Sequence, residues 1–411
     1  MNFIFISPHF PDNYWLFCQG LKKHGVNVLG IADAPYDSLP QHLKDNLTEY
    51  YRVNSMENYD EMLRAVAYFT HHYGKIDWIE SNNEYWLRQD ARLRKDFNIT
   101  TGISYDEIDF MQRKSFMKEI YAKHGIKHAR YQLVTTYEDA LSFISKVGYP
   151  IIIKPDVGVG SSDTHKINNQ EELQAYFKHP RLVDMIMEEY VDGDCYSFDG
   201  ITNANKDILF MTSHQYTSSI MESVNNHKTI GCYSYRHLED DAINAGLRSV
   251  LAFNTRSRFF HFEFFRLRHD QEGLGCAGDV VGLEVNMRPP GGFIPDLINY
   301  ACDIDSYQLW ADMICDDRIH TKVKRKYSCG FVGRRDCIHY AHPLDDIKAK
   351  YQTEIQTIKR LPKALAEGMG DEIIIARFDS EDAFKIFFDY CAEEYVTPTD
   401  EEDTKTETKQ D

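Results

Sequence analysis

The stretch "VVGLEVNMRPPGG", residues 280–292, sets the hardest condition on what this chain can fold into. It opens as an apolar strand and then places Glu284, Asn286 and Arg288 at alternate positions. Alternate residues of an extended chain share a face. An acid, an amide and a guanidinium therefore point the same way from a strand that reads as buried. A buried carboxylate is costly unless it is paired or binds a metal. The fold must bring cations or a ligand to this face.

A second acid lies just upstream. "FHFEFF" sets Glu263 in an aromatic strand, and residues 258–290 read as one long-tipped hairpin. Oxygen ligands from two adjacent strands suit Mg²⁺, which keeps substrate phosphates and waters as its other ligands. The competing reading pairs these acids with arginines such as Arg266 or Arg288. The tip carries "GLGCAG", Gly273–Gly278, a GxGxxG that precedes a strand and has no helix to receive a pyrophosphate. It reads as a hairpin tip.

"YPIIIKPDVGVGSSDTHKI" (149–167) supplies the opposite charge as strand, Gly-rich loop and strand. Lys154 ends the apolar strand, where it serves as a structural end cap or as a phosphate clamp. Gly158, Gly160, Ser161 and Ser162 follow. Glycine lets backbone N–H groups approach an anion, and serine hydroxyls add donors. Because the loop leads into a strand, it reads as a flap over phosphates.

The rest of the chain is read around these pieces. Its 411 residues exceed one core and imply two or three domains. Segments 3–7, 26–33 and 75–81 read as strands, alternating with helices at 13–25 and 59–74. That alternation predicts a parallel α/β layer over 1–103. From 104 the pattern changes: helical segments to Gly125, a strand at 129–136, a helix at 137–148, a helix at 171–179, and strand–turn–strand over 184–202 with Gly193 in the turn. "FIPDLINYACDIDSYQLWADMI" reads as a helix after Pro289. "GFVGRRDC" and "GMGDEIIIARF" read as strands with tight turns in a lobe appended after residue 318. Arg334 and Arg335 read there as phosphate contacts or as solvated, the solvated reading being preferred, and His71 and His72 as surface residues of a helix.

Composition narrows the function. The formal net charge of −18 argues against nucleic acid or an anionic membrane surface as partner. No run reaches the roughly 18 apolar residues of a membrane span. "MNFIFISPHFPDNY" reads as a first strand, not a signal peptide. Nine cysteines without a CxxC pair fit a reducing, cytoplasmic setting and argue against a zinc site. The tail from Thr397, with six acids against two lysines, reads as disordered.

Taken together, "MQRKSFMKEIYAKHGI", "YPIIIKPDVGVGSS", "MEEYVDGDCYSFDG", "FHFEFF" and "LEVNMRPPGG" resemble the ATP-grasp superfamily in order and rough spacing, closest to its carboxylate–amine ligase and biotin-carboxylase-like branches. The resemblance implies a mixed α/β and α+β chain. A parallel α/β pre-ATP-grasp domain spans 1–103. A two-lobed ATP-grasp domain spans 104–318, with lobes at about 104–187 and 188–318. An appended α+β lobe spans 319–396, and an acidic tail 397–411.

The resemblance also implies roles by position. Lys114 and Lys154 reach nucleotide phosphates, and Gly158, Gly160, Ser161 and Ser162 form the flap. Glu188, Glu189, Tyr190 and Val191 line the adenine hinge, Glu189 and Val191 through their backbone. Glu263, Glu284 and Asn286 hold Mg²⁺, with Mn²⁺ as a substitute. Arg288 lies near the acyl phosphate or the substrate carboxylate, and it and Lys154 are the expected catalytic residues. Two departures stand out. Cys195 occupies the place of the usual ribose-binding acid, for which Asp194 or Asp199 could compensate. Asp163 falls in the flap, where its charge must face outward.

The implied reaction is activation of a small-molecule carboxylate as an acyl phosphate, followed by attack of an amine. The alternatives are carboxylation through carboxyphosphate and a nucleotide-binding regulatory protein without turnover. The polar segment 213–236 and the turn "PPGGFIPDL" are expected to border the acceptor pocket, with His214, His227, Arg236, Gly291 and Gly292 as substrate candidates. The appended lobe completes the pocket or forms a homodimer contact; both readings stay open.

Overall fold

A computed structural model describes residues 1–158, 163–217 and 228–395. It divides into two compact units. Met1–Ser213, Leu238–Pro295 and Ile304–Val323 form the first; His214–His237, Asp296–Asp303 and the chain from Lys324 onward form the second.

The first unit opens with β1 (Asn2–Ile6), α1 (Trp15–Lys23), β2 (Asn27–Ala32), α2 (Gln41–Lys44), β3 (Glu49–Arg52), α3 (Tyr59–Tyr73), β4 (Trp78–Glu80) and α4 (Leu87–Asp96). The strands make a parallel sheet in the order β3-β2-β1-β4. Continuous apolar runs such as "FIFI" are what a sheet covered on both faces requires. Ile4, Ile6, Leu29, Ile31 and Ile79 fill its core with Met62, Val66 and Phe69 from α3. The predicted α/β alternation is observed, and His71 and His72 are exposed on α3.

The chain continues through α5 (Asp109–Gln112), α6 (Lys114–Lys123), β5 (Tyr131–Leu133), α7 (Tyr137–Val147), β6 (Ile151–Pro155), β7 (His165–Ile167), α8 (Gln170–Phe177) and β8 (Met185–Glu189). Strands β5-β8-β6-β7 form an antiparallel sheet. Next come β9 (Gly193–Thr202), β10 (Ile208–Tyr216), β11 (Ile230–Ser234), β12 (Arg258–Leu267) and β13 (Val280–Asn286). The expected strand–turn–strand at 184–202 is present, yet β8 and β9 do not pair. β8 lies in the β5–β8 sheet, whereas β9 pairs with β12. Residues 190–192 thus carry the chain from one sheet to the next. The "GLGCAG" stretch is the tip between β12 and β13, as read.

In the first unit the order is β13-β12-β9-β10. Phe198, Phe260, Phe262, Phe264, Val285 and Met287 make one face a hydrophobic core, shared with Tyr121 of α6. Gly282 of β13 admits that helix, because a Cβ there would sit 2.8 Å from the Tyr121 ring. Gly282→Ala is expected to cost roughly 1–3 kcal/mol by overpacking, measured by denaturant unfolding.

In the second unit, residues 214–216 pair with β11, which continues to β14 (Ser328–Arg334), β16 (Glu372–Phe378) and β15 (Ile355–Arg360). The two strands expected in the appended region are therefore present. Arg334 and Arg335 are a correction: both are buried. Arg335 donates to the carbonyls of Lys228 (2.8 Å), Ala366 (3.2 Å) and Glu367 (3.0 Å). Ala366 and Glu367 lie in the helix Lys363–Met369, and the Ala366 carbonyl also accepts from Gly370 N–H (2.8 Å), so the fork ties that helix to Lys228. The helix expected after Pro289 is two helices, Ile294–Cys302 and Ser306–Asp316. Asp303 breaks it with φ 53°, and Asp305 caps the second helix at the N–H groups of Tyr307 and Gln308.

Candidate active site

The polar face of the β13-β12-β9 sheet answers the demand made by residues 280–292. Register places Glu284 opposite Glu263 and Glu263 opposite Ser197. One step along, Asn286 faces His261 and His261 faces Asp199. Directly opposed residues of antiparallel strands share a face, so six polar side chains form two cross-strand rows. A bulge follows Glu263.

His261 Nδ1 lies 2.5 Å from Asp199 Oδ1, and its Nε2 lies 3.6 Å from Glu263 Oε1. Burial alone would lower the His261 pKa, but Asp199 and Glu263 raise it to about 9. Burial would raise the Glu263 carboxyl; the hydrogen bond and charge of His261 outweigh it and hold it down. Arg266, the alternative partner, pairs instead with Asp241 and Glu239. Among the described residues no three His, Cys, Asp or Glu side chains form a metal cluster. The candidate donor set is two carboxylates and an amide. The side chains of Glu263 and Glu284 keep 16% and 14% of their surface open. Hard oxygen donors on adjacent strands, open on one side, fit Mg²⁺.

Above this face sits a knot of buried lysines. Lys114 opens α6, and Asp156, just beyond β6, caps that helix. Asp156 accepts from Ser115 N–H (2.8 Å) and Ser115 Oγ (3.0 Å), while its carbonyl accepts from Lys114 N–H (2.8 Å). The helix start is thereby tied to the root of the flap. Lys114 Nζ donates to the Gly158 carbonyl (3.0 Å) and lies 3.6 Å from Glu284 Oε1. Lys154 Nζ donates to Glu188 Oε2 (3.1 Å). Lys118, one turn along α6 from Lys114, lies 3.4 Å from Glu188 Oε1 and donates to the Leu283 carbonyl (3.1 Å).

Burial lowers the Lys118 pKa to about 8. Burial would raise the Glu188 carboxyl, yet Lys118 and Lys154 hold it down at about 2. Folding thus lowers the Glu188 pKa from its ordinary 4.5, so the unfolded chain takes up the proton first. The stability this group contributes is present above pH 4.5 and is lost as pH falls towards 2. Acid unfolding followed by circular dichroism should show it, with the loss reduced when Lys118 is replaced by Met.

Arg288 continues the line beyond Asn286. Its Nη2 donates to Asn286 Oδ1 (3.1 Å) and its Nη1 to the Pro289 carbonyl (2.8 Å). Its Nε lies 3.8 Å from Glu84 Oε2, on the loop after β4. Burial raises the Glu84 carboxyl to about 7, against the pull of Arg288 and with a further push from Glu284.

The remaining expected residues fall as follows. Glu189 points away from Glu188, and its carboxylate accepts from Arg130 N–H (2.6 Å) and Nε (2.9 Å). The Tyr190 carbonyl accepts from Gln271 Nε2 (2.7 Å), and Val191 is buried. Asp194 is paired with Arg268 at 2.7 Å, while Asp199 is the buried partner of His261. Asp163 is exposed and bonded to His165, so its charge faces outward. Gly160, Ser161, Ser162 and His227 lie outside the described residues, as does the tail from Thr397. Gly291 lies in open space and Gly292 takes φ 59°. His214 and Arg236 belong to the second unit. There His214 is buried opposite Ser234, and Arg236 binds the Asp379 carbonyl and, by its N–H, Glu381 (2.6 Å).

Contacts within the first unit thus link Lys114, Lys154, Gly158 and Glu188 with Glu284, Asn286 and Arg288. Lys118, His261 and Glu84 were not singled out from sequence. Lys118 was findable as the i+4 neighbour of Lys114 on one helix face, and His261 as the same-face neighbour of Glu263. Glu84 carried no signal.

Known proteins similar to this chain are ATP-grasp domains and ligases. Residues 112–248 match the family described as phosphoribosylglycinamide synthetase, ATP-grasp (A) domain. The L-arginine-specific L-amino acid ligase of Bacillus subtilis is 25% identical over 324 residues, covering 75% of this chain and 74% of that protein. The carbamoyl phosphate synthase large chain of Rubrobacter xylanophilus is 30% identical over 101 residues. That match covers 23% of this chain and a tenth of that protein's length (10%). The solved L-amino acid ligase of Bacillus licheniformis superposes with a TM-score of 0.71 at 13% identity, covering 96% of this chain and 98% of that one. Residues 112–248 thus match an ATP-grasp domain, and over most of its length the chain is similar to ligases of the carboxylate–amine type.

Proposed function

We propose that this protein is an ATP-dependent ligase that joins a small-molecule carboxylic acid to an amine, forming ADP and phosphate. The observation that carries the reading is one contact line. Lys114, beside the flap, stands 3.6 Å from Glu284, and Glu284 shares a face with Glu263, Asn286 and Arg288. Cations for phosphates and oxygen donors for a metal are thereby adjacent.

The substrate carboxylate oxygen attacks the γ-phosphorus of ATP, the bond to the bridging oxygen breaks, and ADP leaves. The amine nitrogen then attacks the acyl carbon, phosphate departs with its electron pair, and the amine loses a proton. Glu263, Glu284 and Asn286 would hold Mg²⁺, or Mn²⁺ in its place, which offsets charge on the transferred phosphoryl group. Lys114 and Lys154 exchange their present partners for phosphate oxygens. The hinge 188–191 holds the base, with Asp194 near the ribose and Gly158, Gly160, Ser161 and Ser162 closing over the phosphates. Arg288 positions the acyl phosphate. Gly291 and Gly292 remain the proposed acceptor contacts. The division at 103/104, 187/188 and 318/319 is proposed as the functional one. No helix among the described residues is long and apolar enough to cross a membrane.

The test is a phosphate-release screen of purified protein against pools of carboxylic acids and amines. Release that requires one of each supports the reading. Release with bicarbonate and no amine would replace it with carboxylation, and tight ATP binding without turnover in every pool would replace it with a regulatory role.

A further inference from the structure

The tip of the β12–β13 hairpin, which carries "GLGCAG", does more than turn the chain. It is closed on itself by the Gln271 N–H to the Gly275 carbonyl (2.8 Å) and by the reverse bond (3.0 Å), and Asp279 accepts from the Cys276 N–H (2.7 Å). Lys127 pairs with the same Asp279 carboxylate. A tip held in this way has a fixed shape and can position what it touches. Its Leu274 is buried in one small cluster with Ala129, Val191, Leu267 and Val281. Val191 belongs to the hinge 188–191.

Polar contacts follow the same route. Gln271 Nε2 donates to the Tyr190 carbonyl (2.7 Å), and its Oε1 accepts from the Asp192 N–H (3.4 Å). Arg130 binds the Glu189 carboxylate through Nε (2.9 Å) and reaches the Glu272 carbonyl through Nη2 (3.3 Å). Gly273 takes φ 78°, and a Cβ there would sit 3.0 Å from Arg130 Nη1, so the tip passes close over that guanidinium. A peptide unit is planar and trans, and its C=O and N–H point opposite ways. By holding the Tyr190 carbonyl, Gln271 turns the Val191 N–H away from the tip. That N–H has no hydrogen-bond partner among the described residues, although Val191 is buried. A buried backbone donor left open calls for a partner.

From this geometry we infer that the hairpin tip is a strap for base recognition, in which Gln271 fixes the hinge peptides so that the Val191 N–H meets a ring acceptor of adenine. The inference rests on the ATP-binding reading of the hinge and adds the residue that sets its selectivity for the base. Gln271 acts through residues 190–192 and is a positioning residue. Adenine offers an unprotonated ring nitrogen beside its exocyclic amine. Guanine carries a ring N–H at the matching edge, which would leave donor facing donor. The strap thus separates selectivity for the base from the phosphate end of the site, where Lys114 and Lys154 lie.

The test is calorimetric titration of the full chain with ATP and with GTP, each with Mg²⁺, for wild type, Gln271→Leu and Gln271→Glu. Leucine keeps the bulk and removes both hydrogen bonds. Glutamate keeps an acceptor for the Asp192 N–H and sets a carboxylate against the Tyr190 carbonyl. Wild type should bind ATP more tightly than GTP. Gln271→Leu should weaken ATP binding roughly 5- to 30-fold, the scale of one or two neutral hydrogen bonds, and leave GTP binding unchanged. Gln271→Glu should weaken ATP binding at least as much. A role in stability alone would lower both nucleotides together, so equal losses overturn the inference. So do unaltered ATP binding in Gln271→Leu, wild-type ATP affinity in Gln271→Glu, and a wild type without preference for ATP. Binding is read without turnover, so a phosphate-release screen that finds no ligase activity leaves this result standing.

Discussion

Replacing Glu284 by Ala is expected to lower ADP formation by at least about 10²–10³-fold, on the scale of losing one preorganised electrostatic contact to a transition state. Glu284 sits where two networks meet. It faces Glu263 across the hairpin and lies 3.6 Å from the Lys114 ammonium. Its removal takes away an oxygen donor and the carboxylate that holds Lys114 against the sheet. The loss should fall on kcat more than on the ATP KM, because the hinge lies on a different strand. Steady-state kinetics at saturating metal measures the effect. Turnover like that of wild type would remove Glu284 from the metal site.

The second large effect is structural. Glu188 is the only carboxylate within 4 Å of the Lys118 and Lys154 ammonium groups among the described ion pairs, and both lysines are buried. Glu188→Gln would leave them uncompensated. Breaking a buried pair from one side typically costs about 3–5 kcal/mol, because a desolvated charge remains. Denaturant unfolding should show a loss of that size. Adding Lys118→Met should recover part of it, since that substitution removes the more buried cation. If Glu188→Gln unfolds at the wild-type midpoint, the lysine knot does not depend on this acid.

How much of this was legible beforehand varies by element. The parallel sheet showed because "FIFIS" and "VNVLGIAD" are continuous apolar runs punctuated by helices, and local pattern suffices for that. The hairpin of β12 and β13 showed because Glu284 and Asn286 break a strong apolar pattern at period 2. Lys118 was hidden for a physical reason. A lysine on an amphipathic helix is ordinarily solvated, and only the fold reveals that its head lies under the Leu283 carbonyl. Glu84 was hidden because a loop has no periodicity, and its burial depends on β1 and β4 being neighbours. Arg334 and Arg335 misled in the opposite sense. A charged pair beside a turn reads as solvated, whereas here carbonyls from elsewhere in the chain, those of Lys228, His342, Ala366 and Glu367, accept from the guanidinium groups. The helix break at Asp303 was missed since one left-handed residue is a small signal inside a strongly apolar stretch.

The acyl phosphate itself can be traced by isotope. With a carboxylic acid labelled by heavy oxygen in its carboxylate, and the amine that the screen pairs with it, activation at the γ-phosphate predicts that one labelled oxygen appears in each phosphate released. Mass spectrometry of the phosphate reads it directly. Unlabelled phosphate alongside full product formation would contradict carboxylate activation on this site.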